Sequence, residues 1–423
     1  MHTINRRQAL HVGVLGGGMS LAQFLQLQAA GKVANQTTAD SAILVFLKGG
    51  PSHQDMFDMK PRAPAEYRGE FRPIATAKPG IQICEHLPQL ARSIEDYSIV
   101  RGVTHNLAAH GLGSRYLLTG NRPNPLLRYP TYGSVLCKEK PARGDVPGFV
   151  AVDNSIEGPG FLGVQHGALN TGEKPRNGYP IRVRGISLDE GLTLSRVKRR
   201  SKLLRDVDHA FNEFRDLEPT IKGLDELSQR ARRILLSSRT REAFDLEKEK
   251  PAIRARFGRH EFGLSCLLAC RLISAGVRFV TVVADNWDTH ADNFRTMRTK
   301  LLPAIDQALA AVLETLSNQN RLSKTAVLVT GEFGRTPKVN GRAGRDHWPR
   351  AMFSLLAGGG LQGGQVIGGS DAKAAQPASD PISPDDVAAT FYSNLGISPQ
   401  TEYKTNTGRP VQIVRNGKVL RGL

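Results

Sequence analysis

The sequence predicts an α/β protein built around a parallel sheet, and three observations carry that prediction. Short runs that are apolar at nearly every position recur along the chain, "SAILVF" at 41–46, "VRFVTVVA" at 277–284 and "TAVLV" at 325–329, as strands buried on both faces do. Between the last two, Phe294, Met297, Leu301, Ile305, Leu309, Val312 and Leu316 recur at helical spacing, giving one long amphipathic helix. Strand, helix, strand with both strands apolar is a βαβ unit, whose crossover makes its strands parallel.

Taken in order, the chain opens with "INRRQALHVGVLGGGMSLAQFLQLQAA", where Arg6 and Arg7 precede a weakly apolar, glycine-rich stretch from His11 to Leu27. Residues 1–34 read as a twin-arginine export signal, either cleaved or kept as an anchor, which predicts a periplasmic or otherwise extracytoplasmic protein. Three consecutive glycines at 16–18 argue against a helix of the domain itself. The domain proper runs over 40–423. "SAILVFLKGG" is its first strand, leaving into the loop "GGPSHQDMFDMKP" (49–61). "YSIVRGV" (97–103) is the second strand and "VPGFVAV" (146–152) the third. A charged, glycine-poor region from 187 to about 262 predicts a helical insertion that includes the basic run "SRVKRRSKLLR". "EFGLSCLLACRLISAG" is a helix stopped by Gly276, with Cys266 and Cys270 on one face as packing residues. Cys84 and Cys137 are left as a candidate bridge for an oxidising compartment.

The balance of 57 Lys+Arg against 39 Asp+Glu, a formal charge of +18, favours anionic partners such as sulfated or phosphorylated glycans. No zinc-finger spacing or RNA-binding signature accompanies it, so nucleic acid is not expected. Beyond the signal segment no stretch is long and apolar enough to span a bilayer. Oligomeric state is not legible.

Ligands of parallel α/β sheets sit outside the carboxyl ends of the strands, and four loops leave such ends here. The first carries Ser52, His53, Asp55 and Asp58; the second His105, Asn106, His110, Ser114 and Arg115. The third carries Asp285, Asp288 and His290, and the fourth Glu332, Arg335, Arg345, Asp346 and His347. Carboxylates and neutral imidazoles are the donors a divalent ion (Zn, Mn, Mg or Ca) takes. Arginines beside them suit a sulfate or phosphate oxyanion. Trp287 and Trp348, the two tryptophans, each neighbour an Asp/His group and are candidates to wall the pocket or stack on a sugar.

"LKGGPSHQDMFDMKP", "NWDTHADN" and "GEFGRTPKVNGRAGRDHWP", in that order behind a twin-arginine leader, resemble the bacterial family known as domain of unknown function 1501. That family is similar in fold to the alkaline phosphatase and sulfatase superfamily, which implies a parallel-sheet sandwich with a metal site at the sheet's carboxyl edge. The resemblance implies metal ligands Asp55, Asp288, His290, Glu332, Asp346 and His347. "HGLGSRYLLTG" (110–120) ends like the sulfatase nucleophile motif, with His110 at the nucleophile position and Ser114-Arg115 one residue late. No cysteine stands there to become formylglycine. The resemblance therefore implies an exported metal-dependent hydrolase of sulfate or phosphate esters, with His110, Ser114 and Arg335 as catalytic candidates and Arg115, Arg345, Trp287 and Trp348 at the substrate. A non-catalytic binder of acidic glycans on the same fold is the alternative.

Overall fold

The computed structural model describes residues 39–181 and 236–423, with Val183, Arg199, Arg233 and Ile234. The expected signal segment lies outside the described residues, as does the expected insertion up to residue 235 apart from Arg199, Arg233 and Ile234. Ten strands matter here: β1 (Ser41–Leu47), β2 (Tyr97–Val103), β3 (Phe149–Ala151), β4 (Leu169–Asn170), β5 (Phe279–Ala284), β6 (Thr325–Thr330), β7 (Gly334–Arg335), β8 (His347–Trp348), β9 (Met352–Ala357) and β10 (Val366–Ile367). Eight of them form one sheet in the order β10-β2-β9-β6-β1-β5-β3-β4, while β7 and β8 pair separately as a short antiparallel ribbon.

Every residue of β1 is buried, because helices cover both faces of the sheet. Ile43, Val45 and Leu47 point into one apolar cluster, and Ala42, Leu44 and Phe46 into the other. This is the two-residue alternation of a strand read from both sides. The second cluster is closed by α1 (His110–Thr119), α2 (Tyr132–Glu139) and α5 (Pro384–Asn394), the first by α3 (Glu261–Ala275) and α4 (Leu302–Asn318). Each fully buried Val, Leu or Ile contributes about 1.5–3 kcal/mol relative to an exposed one, so the two layers fix the register of the central strands. Gly276 ends α3 in the left-handed conformation. The predicted stripe from Phe294 to Leu316 is buried apart from the half-buried Leu301, and its helix contains a π turn at Met297–Leu301 before α4.

β1 pairs in parallel with β5 and β6, with Leu47 beside Ala284 and Phe46 beside Thr330. Their carboxyl ends are therefore level, and the chain leaves all three at one edge. One strand runs against the rest. β9, antiparallel to both β6 and β2, had no counterpart among the expected strands. It follows β6 through a loop with no crossover helix, and a strand that returns directly must be antiparallel. The expected third strand shrinks to Phe149–Ala151. Cys84 is a buried free thiol, so the candidate Cys84–Cys137 bridge is not formed. Cys266 and Cys270 are buried in the core, as packing residues should be. No described helix is long and apolar enough to cross a membrane.

Two histidines near the sheet edge make stability depend on pH. His53 is buried with its Nε2 on the Ala374 carbonyl at 2.9 Å. His105 Nδ1 accepts from Leu107 N–H while its Nε2 meets the Glu332 carbonyl at 2.8 Å. Burial lowers each to about 4 from 6.5. Between those values the unfolded chain holds protons that the folded chain refuses, so stability falls as pH falls from 6.5 towards 4 and is full above that window. Each group contributes a slope of up to about 1.4 kcal/mol per pH unit. Denaturant midpoints at pH 7, 5.5 and 4.5 should drop progressively, and His53→Gln should flatten the decline.

Candidate metal centre

The loop after β5 carries Asp288 and His290, the loop after β6 carries Glu332, and the β7–β8 ribbon sets His347 opposite Arg335. The sheet edge thus gathers residues far apart in sequence. His290 Nε2, His347 Nε2 and Asp288 Oδ1 stand 3.0 Å from one another. His110, the first residue of α1, places Nε2 3.3 Å from Asp288 Oδ2. The ligand atoms of His110, Asp288 and His347 all lie within 4.8 Å of one another.

The far side of each ring decides which nitrogen carries the proton. His290 Nδ1 is 2.6 Å from Asp346 Oδ1, His347 Nδ1 is 2.8 Å from the Ala108 carbonyl, and His110 Nδ1 is 2.6 Å from Glu332 Oε1. All three partners are acceptors, so in the neutral rings Nδ1 is the N–H and the Nε2 lone pairs converge on Asp288. Three lone pairs and a carboxylate with no hydrogen between them repel unless a cation or protons intervene. Outer acceptors that fix imidazole tautomers are also the usual surroundings of metal-binding histidines. Ligand atoms about 2 Å from one ion sit roughly 3 Å or slightly more apart, so the donor set fits a divalent metal.

Arg335 fixes the carboxylate. Its side chain is fully buried; Nη2 donates to Asp288 Oδ1 at 2.5 Å and to the Trp287 and Gly49 carbonyls, Nε to the Gly50 carbonyl and Nη1 to the Arg345 carbonyl. One guanidinium therefore ties three loops together beneath the cluster. Burial is the largest single influence on the Asp288 carboxyl and acts to raise it, but the hydrogen bonds and charges of Arg335 and the neighbouring histidines together outweigh it and hold the group down at about 2. The hydrogen bond from His290 likewise holds Asp346 below its usual range. Glu332 is fully buried; its Oε1 also accepts the Gly49 N–H at 2.8 Å, while Oε2 has no partner among the described residues.

The model of the family described as "protein of unknown function (DUF1501)" matches residues 39–423. The chain belongs to the DUF1501 family. No curated protein matches it. Among solved structures, this DUF1501 chain is similar to Ps i-CgsB in complex with k-i-k-neocarrahexaose, at 10% identity and TM-score 0.41, over 85% of this chain and 72% of that one. It is similar to a protein in the alkaline phosphatase superfamily from Vibrio parahaemolyticus, at 10% identity and TM-score 0.35, over 90% and 76%. It is also similar to the alkaline phosphatase of the Antarctic bacterium TAB5, at 12% identity and TM-score 0.34, over 78% and 95%. None of these likenesses assigns a residue or an activity to this chain.

Several residues expected at the site stand elsewhere in the DUF1501 structure. Asp55, expected as a metal ligand, and Arg345, expected at the substrate, are both fully buried. They pair with each other through Nε–Oδ2 at 2.8 Å and Nη2–Oδ1 at 2.9 Å. Arg345 spends its remaining donors on the Thr336, Pro337 and Tyr67 carbonyls, so neither group is free for a ligand. Arg335 is equally committed, to Asp288 and backbone carbonyls, and its buried side chain positions Asp288 rather than meeting solvent. Glu332 and Asp346 stand behind the imidazoles of His110 and His290, not among the converging lone pairs. Ser114 is 4% exposed within α1, and Arg115 is paired with Glu157 at 3.0 Å. Trp287 is buried, and Trp348 gives its N–H to the Ala375 carbonyl at 2.6 Å. Two contributors were not singled out from sequence. Gly49 supplies the N–H to Glu332, for which "KGG" at the end of an apolar run was the available signal. Asn340 donates to the His290 carbonyl at 3.0 Å and to Asp346 at 3.3 Å, with no distinguishing pattern around it.

Proposed function

We propose that the protein is a metal-dependent hydrolase of sulfate or phosphate esters, exported by the twin-arginine route. The observation that carries the reading is the convergence of His290 Nε2, His347 Nε2 and Asp288 Oδ1, each ring with its proton-bearing nitrogen turned to an outer acceptor. Asp288, His290 and His347 would hold the ion, and two imidazoles with one carboxylate suit zinc better than magnesium or calcium. A divalent ion there supplies Lewis acidity to the ester oxygen and to the attacking water.

The chain's own groups divide the remaining work. Arg335 keeps Asp288 ionised and aimed. Glu332 holds the His110 Nδ1–H, so that the half-exposed ring presents Nε2 at the cluster and can carry a proton to or from the leaving group. α1 begins at His110 without a side-chain cap, which leaves first-turn N–H groups for the non-bridging oxygens of the ester. The charge of +18 favours approach of such anions. Burial of Ser114, Cys84, Cys266 and Cys270 supports water, not a hydroxyl or thiol side chain, as the attacking group. The burial of these four side chains also supports a second reading, a non-catalytic binder of acidic glycans.

Elemental analysis of the full chain purified without chelator tests the first reading. About one metal per chain is expected, lost in His290→Ala/His347→Ala and kept in His110→Ala, with metal-dependent hydrolysis of an aryl sulfate or aryl phosphate lost in both. Wild-type protein that takes up no metal after reloading with Zn²⁺, Mn²⁺, Mg²⁺ or Ca²⁺ sinks the hydrolase reading. Metal uptake with no turnover but with glycan binding would support the second.

A further inference from the structure

The loop between β7 and β8 closes on itself through one side chain. Asn340 Oδ1 accepts the N–H groups of Arg342 and Gly344, each at 3.0 Å, and the Asn340 backbone N–H donates to the Gly344 carbonyl at 2.9 Å. The closed loop docks on the segment that carries His290. Asp292 and Asn293 donate their N–H groups to the Arg342 and Ala343 carbonyls at 3.1 and 2.9 Å. Asn340 Nδ2 adds a further link, donating to the His290 carbonyl at 3.0 Å and to Asp346 Oδ2 at 3.3 Å. The other oxygen of Asp346 faces His290 Nδ1. One amide thus holds both the backbone of His290 and the carboxylate that orients its ring.

Only an amide suits both sides of this position. Its nitrogen meets two acceptors and its oxygen meets two donors. A carboxylate in its place has no N–H for the His290 carbonyl and sets a second negative charge against Asp346.

The next residue is glycine. Gly341 is exposed, its N–H makes no hydrogen bond among the described residues, and a Cβ there would meet nothing within 4 Å. Its nitrogen is free and uncrowded beside Asn340 Cγ. The two N–H groups on Oδ1 are placed to stabilise the negative charge that attack at Cγ develops on that oxygen, as oxyanion donors do. The sequence holds two other Asn-Gly pairs, at 177–178 and 416–417. Asn177 is exposed and takes no part in the cluster, while Gly417 is packed against the Asp385 carbonyl.

We propose that Asn340 is a deamidation site whose conversion loosens the metal centre. The Gly341 nitrogen gives its proton to solvent base and bonds to Asn340 Cγ. The Cγ–Nδ2 bond breaks, and Nδ2 leaves as ammonia with a proton from water. Water then opens the cyclic imide at either carbonyl, leaving aspartate or isoaspartate. Both products lose the two Nδ2 hydrogen bonds, and isoaspartate also lengthens the loop backbone by one carbon. The inference goes beyond the proposed hydrolase, and only its effect on metal binding rests on that reading.

Full-length protein aged in mildly alkaline buffer, then digested for mass spectrometry, should show the amide-to-acid mass gain at residue 340. Gly341→Ala fits the open space but crowds the attacking nitrogen, so it should slow the conversion several-fold and start with the parent's zinc affinity. Asn340→Asp should bind zinc about 10–100-fold more weakly. In metal-free protein, hydrogen exchange at the Asp292 and Asn293 amides should quicken after conversion and in Asn340→Asp, and stay slow in aged Gly341→Ala. No conversion at 340 under conditions that convert Asn177 overturns the proposal, as does an equal rate in Gly341→Ala. Conversion that leaves exchange at 292–293 unchanged overturns it too, as does parental zinc affinity in Asn340→Asp. Conversion with quickened exchange in a protein that takes up no zinc would sink the metal centre and leave the modification site standing.

Discussion

Gly49→Ala protein is expected to be about 2–6 kcal/mol less stable than the parent and, on the proposed metal-dependent reading, to bind the ion more weakly. Gly49 has φ 121°, and a Cβ there would stand 2.3 Å from the Asp288 nitrogen and 2.6 Å from the Trp287 carbonyl carbon. Both obstacles are backbone, so no side-chain rotation relieves them. A non-glycine residue held in such a conformation costs about 1–3 kcal/mol, and forcing extra volume into a packed site adds about 1–3 kcal/mol. The same displacement separates the Gly49 N–H from Glu332 Oε1 and disturbs the Trp287–Asp288 backbone that Arg335 clamps. Loss of such supporting contacts lowers metal affinity by about 10–100-fold. Denaturant unfolding and metal titration of the same preparation check the two halves. A Gly49→Ala protein that unfolds and binds metal like the parent would show that the close approach of these loops is not required.

Asp55→Ala should destabilise the protein by about 3–5 kcal/mol. Asp55 and Arg345 are both 0% exposed, and the carboxylate also accepts from Ser52 Oγ at 2.6 Å and Asn293 Nδ2 at 3.0 Å. Removing it leaves the guanidinium charged and dry. Asp55→Ala/Arg345→Met removes that charge as well and should recover part of the loss. Recovery should be incomplete, because the Thr336, Pro337 and Tyr67 carbonyls lose their donor. Chemical denaturation of the two variants separates these terms. An unchanged midpoint for Asp55→Ala would contradict the burial of the pair.

The pairing of Asp55 with Arg345 also shows where reading the sequence reached its limit. Acid, histidine and arginine at strand ends are chemically interchangeable as ligands, pair members and supports. Asp55 and Asp288 both meet an arginine, but Asp55 receives Arg345 through both oxygens and is sealed. Asp288 offers one oxygen to Arg335 and keeps its carboxylate open to three imidazoles. Which arginine reaches which acid depends on how loops from opposite ends of the chain pack. Likewise "MFSLLA" is as apolar as the strands that were recognised, but its direction follows from the route of the preceding loop.

The sequence by itself determined the layered α/β architecture, the buried central strands and the edge at which the chemistry-bearing loops emerge. Apolar periodicity and strand–helix alternation are local properties that leave few ways to bury both faces of a sheet. Only the tertiary structure decided the division of labour at that edge. His110, Asp288, His290 and His347 converge, Glu332 and Asp346 orient two of the rings, and Arg335 and Arg345 are sealed among carbonyls. The physical reason is burial. A charged side chain takes its role from the partners that replace its lost water, and those partners come together only when distant loops fold onto one another.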